Sequence, residues 1–302
     1  MLRIKNLNKS YKSRKVLQNL TLSIQPGEVY GLLGANGAGK TTTINIICNL
    51  LNADSGYITI NHQPISEATK KLIGIAPQEN LLYKTLSCAE NLNFFADIYG
   101  LDRETQKQQI EATLKAVNLL DRAKSPVETL SGGMQRRLNI AVALVHQPQL
   151  VILDEPTTGL DIEARYEIWE LIRQLKNQGM TILLTTHLLD EAERLCNRIG
   201  ILKNGKILAE GSLSELKTLI PGQEIVMLQT TEEEKAISLA QEYGFTTRRY
   251  GSDLAFLLPE PLELKELLVR FDGIPIDSIS RQPVRLEHIY VEITQKHEEF
   301  RI

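Results

Sequence analysis

An α/β fold built on an open parallel sheet, interrupted by a mostly helical insertion and followed by a small α+β unit, is what this sequence predicts. Three observations carry that expectation. The apolar, β-rich runs VYGLLG, LVILDE and TILLTTH each end in polar or glycine-rich residues, the pattern of buried strands delivering side chains to one edge of a sheet. Between the first and second runs lies a long stretch with helical spacing. Near LIPGQE, Pro221 and Gly222 interrupt a helical pattern just where composition shifts, which marks a linker.

Composition narrows the function classes. The 302 residues are 42% hydrophobic and 24% charged, globular material for one large domain and a small one, which excludes disorder and fibre. The amino terminus, MLRIKNLNKSYKSRKVL, is basic without a continuous apolar stretch, and no run approaches the roughly 18 apolar residues of a membrane span. The chain is expected to stay in the cytoplasm. Cys48, Cys88 and Cys196 are widely spaced in apolar or helical surroundings and read as reduced core thiols. Net charge is -3 and unevenly divided: from Gly222 onward there are 15 acidic and 9 basic side chains. Neither part carries the dense basic stripe of a nucleic-acid binder.

The first strand runs into GANGAGKTT and then an amphipathic helix. Gly34, Gly37, Gly39, Lys40 and Thr41 match a phosphate-binding loop in its proper strand-to-helix context. Glycines let backbone N–H groups wrap a phosphate, the helix amino terminus adds partial positive charge, Lys40 is expected to neutralise β- and γ-oxygens, and the Thr41 hydroxyl can ligate Mg²⁺. Asn36, Ala38 and Thr42 complete the nucleotide-binding set.

The second strand ends in Asp154 and Glu155 before Pro156. Asp154 is expected to hold the Mg²⁺ shell and Glu155 to orient and deprotonate an attacking water. The third ends at His187, expected to touch the γ-phosphate because all three strands share an edge. Gln78 follows the short apolar strand GIAPQ, and its amide is placed to reach the Mg²⁺ or the water, or to be an ordinary loop glutamine. The insertion opens with a Ser87 to Glu90 capping box, and Leu92, Phe95 and Tyr99 fall on a core-facing stripe. Farther on, Ser131, Gly132 and Gly133 open the helix MQRRLNIAVALVH. Free N–H groups, a hydroxyl and a helix dipole there make a second anion site, or a plain helix cap.

In order, GANGAGKTT, Gln78, LSGGMQ, LVILDEP, TGLD and His187 resemble the ATP-binding cassette of ABC transporters over roughly residues 1 to 220, with a helical subdomain at about 85 to 148. That resemblance implies a P-loop NTPase fold, ATP and Mg²⁺ as ligands, and a head-to-tail homodimer in which the signature of one copy closes over ATP held by the other. Ser131 and Gly133, with Gly132 and Gln135, would then meet the partner's nucleotide, and Ser131 and Gly133 its γ-phosphate. Asp161 resembles the dimer-contact loop, and Tyr11 matches the adenine-stacking aromatic. Met134 departs from the commoner LSGGQ without touching the serine or glycines.

Residues 222 to 302 read as strand EIVMLQT, helix EEEKAISLAQEYG, strands TTRRY and LAFLLP, helix LELKELLVRFDG and strand IDSIS, a ferredoxin-like α+β arrangement, then a short helix LEHIYVEIT. His288 and His297 are expected at the surface. The ending resembles the LEDVFLxLT of ATPases of drug-resistance and related exporters. The expected function is therefore an ATPase subunit driving export through a separate membrane-spanning partner, peripheral on the inner face of the cell membrane. That partner's docking surface would lie around Gln78 and residues 80–85. The competing class is a soluble mechanical or regulatory ATPase acting on nucleic acid or ribosomes. Its relatives carry a long coiled-coil insertion or two cassettes, and this sequence has neither. A non-hydrolysing scaffold is disfavoured because Glu155 and His187 fill both catalytic positions.

Overall fold

The computed structural model describes the backbone of residues 1–299 and the side chains of residues 1–295; His297 falls outside the described side chains. The chain divides into two compact units, Met1–Glu210 and Gly211–Ile302. This division precedes the Pro221–Gly222 break because the short helix Leu213–Lys217 packs on the carboxy-terminal helix of the second unit.

In the first unit β1 (Leu2–Tyr11) and β2 (Arg14–Ile24) pair antiparallel, and β3 (Val29–Leu33) leads into α1 (Lys40–Ile47). β4 (Ser55–Ile60) and the two-residue β5 (Gln63–Pro64) return to the amino-terminal strands, giving a sheet in the order β2-β1-β4-β5. Then come β6 (Ile73–Ala76), the helices α2 (Cys88–Ile98), α3 (Arg103–Ala116) and α4 (Gly132–Leu144), and β7 (Leu150–Asp154). The unit continues with α5 (Ile162–Asn177), β8 (Thr181–Thr186), α6 (Leu189–Leu195), β9 (Arg198–Lys203) and β10 (Lys206–Gly211).

The central sheet has the order β10-β9-β3-β8-β7-β6, and the run from β9 to β6 is parallel. Its strands β3, β7 and β8 are buried along their whole length, as parallel strands covered on both faces must be. The period of two then divides each strand between two cores. Leu150 and Ile152 of β7 and Leu183 of β8 join Tyr30, Leu32 and the α1 side chains Ile44 and Ile47. Val151, Leu153, Ile182 and Leu184 point the other way, into the apolar faces of α4 and α5. Each fully buried aliphatic side chain contributes about 1.5–3 kcal/mol, so the sheet edge that carries the site rests on two independent hydrophobic layers.

The helical stretch starts as its sequence requires. Ser87 accepts a hydrogen bond from the Glu90 amide at 3.2 Å, and Glu90 accepts one from the Ser87 amide at 2.7 Å, closing both ends of the capping box. Leu92 is fully buried, whereas Phe95 and Tyr99 are half-buried. Tyr99 stacks flat on His146, ring centroids 3.6 Å apart. The three cysteines are free thiols; Cys48 and Cys88 are buried and Cys196 partly so.

The second unit contains α7 (Leu213–Lys217), β11 (Glu224–Thr230), α8 (Glu233–Glu242), β12 (Thr246–Tyr250), β13 (Asp253–Leu258), α9 (Leu264–Arg270), β14 (Ile276–Pro283) and α10 (Leu286–Glu299). Its antiparallel sheet has the order β12-β13-β11-β14, the ferredoxin-like topology. Two expectations need correction. The last helix is longer than the LEHIYVEIT segment, continuing through Glu299. His288 is not at the surface: it is 3% exposed, its ring lies edge-on to Tyr250, and its Nδ1 accepts the Arg285 amide at 3.0 Å. It caps the first turn of α10 from inside, a tertiary placement that composition does not reveal.

Candidate active site

The turn between β3 and α1 is built by backbone conformation. Gly37 and Gly39 have φ of 81° and 116°, a region that residues with a Cβ rarely enter, and a Cβ on Gly39 would lie 2.7 Å from the Leu17 side chain. Lys40 opens α1 and is almost fully buried, with its Nζ donating to the Gly34 carbonyl at 2.6 Å and the Ala35 carbonyl at 3.3 Å. A cleft of about 530 Å³ lies over this loop, lined by Tyr11, Arg14, Val16, Asn36, Gly37, Gly39, Lys40, Thr41, Thr42, Gln78 and Glu155. Gly34 and Ala38 are buried in the loop behind it. Arg14 and Val16 were not anticipated; their only signal in the sequence is proximity to Tyr11.

Because β3, β8, β7 and β6 are neighbours, their carboxyl ends bring distant residues together. Glu155 Oε1 is 3.1 Å from Lys40 Nζ, and Glu155 Oε2 is 3.1 Å from His187 Nδ1. Thr158 also donates to Oε2 at 3.2 Å. Burial pushes the Glu155 carboxyl upward, but the bonds and charge of Lys40, and then His187, outweigh it and hold the group below the usual carboxylate range. Glu155 has φ 48°, costly for a residue with a side chain, and its amide is held by the Thr185 carbonyl at 3.0 Å. Asp154 is 7% exposed and accepts the Thr185 hydroxyl at 2.5 Å. Burial raises its pKa, and the Thr185 bond offsets part of that.

Gln78 lines the cleft, and its backbone is anchored by residues that the sequence did not single out. Arg136 donates to the Pro77 carbonyl at 2.9 Å and the Gln78 carbonyl at 2.6 Å, and Asn139 donates to Pro77 at 2.9 Å. Arg136 is 5% exposed. The available signal was its position one turn before buried Ile140, on a stripe where an apolar residue would be ordinary.

The signature stretch does not line this cleft. Ser131 is the N-cap of α4, accepting the Met134 amide at 3.3 Å, and Gln135 donates to the Leu130 carbonyl at 3.1 Å. The two glycines differ. A Cβ on Gly133 would lie 2.8 Å from the Ala164 methyl, so this glycine lets α4 approach α5, whereas Gly132 has open space around it. Asp161 caps α5 through the Ala164 amide at 2.8 Å.

Comparison with known proteins agrees with this geometry. The sequence profile "ABC transporter" matches residues 17–158. The chain is 42% identical over 243 residues to a linearmycin resistance ATP-binding protein of Bacillus subtilis, covering 80% of this chain and 78% of that one. It is 37% identical over 297 residues to a Nod factor export ATP-binding protein I of Cupriavidus metallidurans, with 97% of each chain covered. A dimeric, post-hydrolysis ATP-binding cassette bound to ADP and Pi is similar with a TM-score of 0.63 and 28% identity, over 70% of this chain and 98% of that one. A likeness that runs through nearly the full length of a relative, and whose motifs stand at adjacent strand ends, has one explanation: the chain belongs to the ATP-binding proteins of the ABC transporter family.

Proposed function

We propose that this chain is the ATP-hydrolysing subunit of an exporter, driving a separate membrane-spanning partner. The observation that carries the reading is the meeting of Lys40, Glu155 and His187 through two 3.1 Å contacts at the carboxyl ends of adjacent parallel strands, with Lys40 and Glu155 lining one cleft and His187 behind Glu155. The relatives' names, resistance in one case and export in the other, support outward transport.

The residues fit ATP with Mg²⁺. The loop amides and Lys40 suit the β- and γ-phosphates, and Tyr11, 48% exposed at the cleft wall, suits the adenine. Thr41, Gln78 and Asp154 offer a hydroxyl, an amide oxygen and a carboxylate, the hard oxygen donors that Mg²⁺ prefers. No cluster of three His, Cys, Asp or Glu side chains able to hold a metal occurs among the described residues; a Mg²⁺ held here would draw its remaining ligands from phosphate oxygens and water. When bound, the ion neutralises charge on the transferring phosphoryl group.

Lys40 holds two roles in turn. Paired with Glu155, it keeps that carboxylate a weak base; drawn to a γ-phosphate, it releases Glu155 to accept a proton from water while His187 keeps the carboxylate oriented. Ser131 and Gly132, both exposed at the start of α4, are placed to reach the nucleotide of a second copy. Gly133 supports them by packing. The docking surface is read around Leu81 and Tyr83, which are 63% and 47% exposed, with the Tyr83 ring edge-on to exposed Phe94 at 4.7 Å, apolar surface suited to a protein partner. Among the described residues no helix is long and apolar enough to cross a membrane, so attachment to the inner face of the membrane would come through that partner.

Glu155→Gln tests the reading. It is expected to bind ATP with Mg²⁺, to lose about 10²- to 10⁴-fold in kcat, and to accumulate as a dimer in light scattering. A variant that stays monomeric with saturating ATP and Mg²⁺ would count against the shared site, and wild-type turnover would remove Glu155 from its role.

A further inference from the structure

The loop between Glu155 and Asp161 links the two parts of the proposed mechanism, the carboxylate that faces water and the residue that resembles a dimer contact. It is short: Thr158 and Leu160 donate backbone bonds to the Glu155 and Thr157 carbonyls, each at 3.2 Å. Its centre, Thr157, is fully buried and does not point into the cleft. The Thr157 hydroxyl donates instead to Glu191 Oε1 at 2.7 Å. The same oxygen accepts the Trp169 indole N–H at 3.2 Å.

Glu191 is an unusual anchor. It is fully buried in α6, which begins just beyond His187, and among the described residues no lysine, arginine or histidine lies within ion-pairing distance of it. Taking a carboxyl out of water without a cation costs several kcal/mol unless its oxygens are well bonded. An apolar side chain would pack there at lower cost. What the carboxyl provides is one oxygen that holds two elements at once: the loop after Glu155, and α5 through Trp169. The backbone of the strand leading into α6 is fixed to the phosphate loop, since Gly34 donates to the Thr186 carbonyl at 3.1 Å.

Resting on the proposed ATPase reading, we infer that Glu191 is a positioning residue for hydrolysis, fixing the Glu155–Asp161 loop through Thr157 so that nucleotide engagement at Glu155 is passed to α5. Trp169 is the only tryptophan of the chain and is 2% exposed. Its indole shares Glu191 Oε1 with Thr157, so its emission reports the state of that loop directly.

The test compares variants of the full chain. Thr157→Val keeps the side-chain shape and removes the donor. It is expected to lower kcat about tenfold, the scale of a small misplacement of a reacting group, while KM for ATP changes less than about threefold. Glu191→Gln retains an acceptor at the same atom and should restore most of the rate; Glu191→Ala should resemble Thr157→Val or fall lower. In a Glu155→Gln background, ATP with Mg²⁺ should shift Trp169 emission, and adding Thr157→Val should abolish the shift without abolishing ATP binding.

Wild-type turnover by Thr157→Val, or a nucleotide-dependent emission shift that survives it, overturns the inference. So does Glu155→Gln that binds ATP with no emission change, and so does Glu191→Gln as impaired as Glu191→Ala. If the wild-type chain itself bound no ATP, the functional reading would fail first, a result distinct from any of these.

Discussion

At the strand ends of the first unit Lys40 and Glu155 line one cleft with His187 bonded to Glu155, while in the second unit Glu292 and Glu224 are each gripped by the fork of an arginine. Glu292 accepts two bonds from Arg248, at 2.5 and 3.1 Å, and Glu224 two from Arg281, at 3.1 and 2.9 Å. Arg249 pairs with Glu233 on the outside. These forked pairs cancel charge locally and hold β12, β11 and β14 to their neighbours. In the first unit the charges are not cancelled pair by pair: Lys40 is shared between two carbonyls and Glu155, and Glu155 between Lys40 and His187. Similar side chains therefore serve structure where a forked pair fixes them and, in the proposed mechanism, chemistry where partners can be exchanged for a ligand.

The sharpest way to break this contrast is Lys40→Ala. In the first unit it should abolish tight ATP binding in calorimetry and lower turnover by roughly 10²- to 10³-fold, while leaving the fold intact. Comparable ATP affinity in the variant would show that Lys40 is merely a structural pair for Glu155. The corresponding cut in the second unit, Glu292→Gln, should act on stability alone. Leaving Arg248 beside a neutral amide is expected to cost about 2 kcal/mol, read as a lower unfolding midpoint, with kcat unchanged. A loss of turnover would mean the second unit takes part in hydrolysis.

A smaller effect concerns a histidine that serves packing. His146 is stacked on Tyr99, its Nε2 lies 3.1 Å from the Ile73 carbonyl, and burial depresses its pKa to about 4. Between about 4 and its ordinary value of 6.5 the unfolded chain binds the extra proton, so stability falls as pH drops through that window and levels off below it. His146→Phe should flatten the dependence of the melting temperature on pH from 6.5 to 4, at a cost near neutrality of about 1 kcal/mol for the lost hydrogen bond. An unchanged slope would show that His146 already carries its proton in the folded state.

Much of the proposed site was legible because it sits where local patterns end. Lys40, Asp154 and Glu155 follow uninterrupted apolar strands, and the Ser87 capping box announces α2. The carboxy-terminal unit was legible for the same reason, its alternating strands and helices matching the observed elements through β14. Arg136, Glu191 and His288 were not, because each is a polar residue that appears ordinary until the element packed against it is known. Arg136 needs the Pro77–Gln78 turn, Glu191 needs Thr157 and Trp169, and His288 needs Tyr250.

Backbone hydrogen bonding and hydrophobic periodicity act over a few residues, so strand, helix and phosphate-loop identities were already present in the linear chain. Which strands lie side by side depends on how two apolar layers close over a sheet, a long-range property. Only that closure sets β3, β8, β7 and β6 next to one another, and only there do Lys40 and His187, far apart along the chain, each come within 3.1 Å of Glu155.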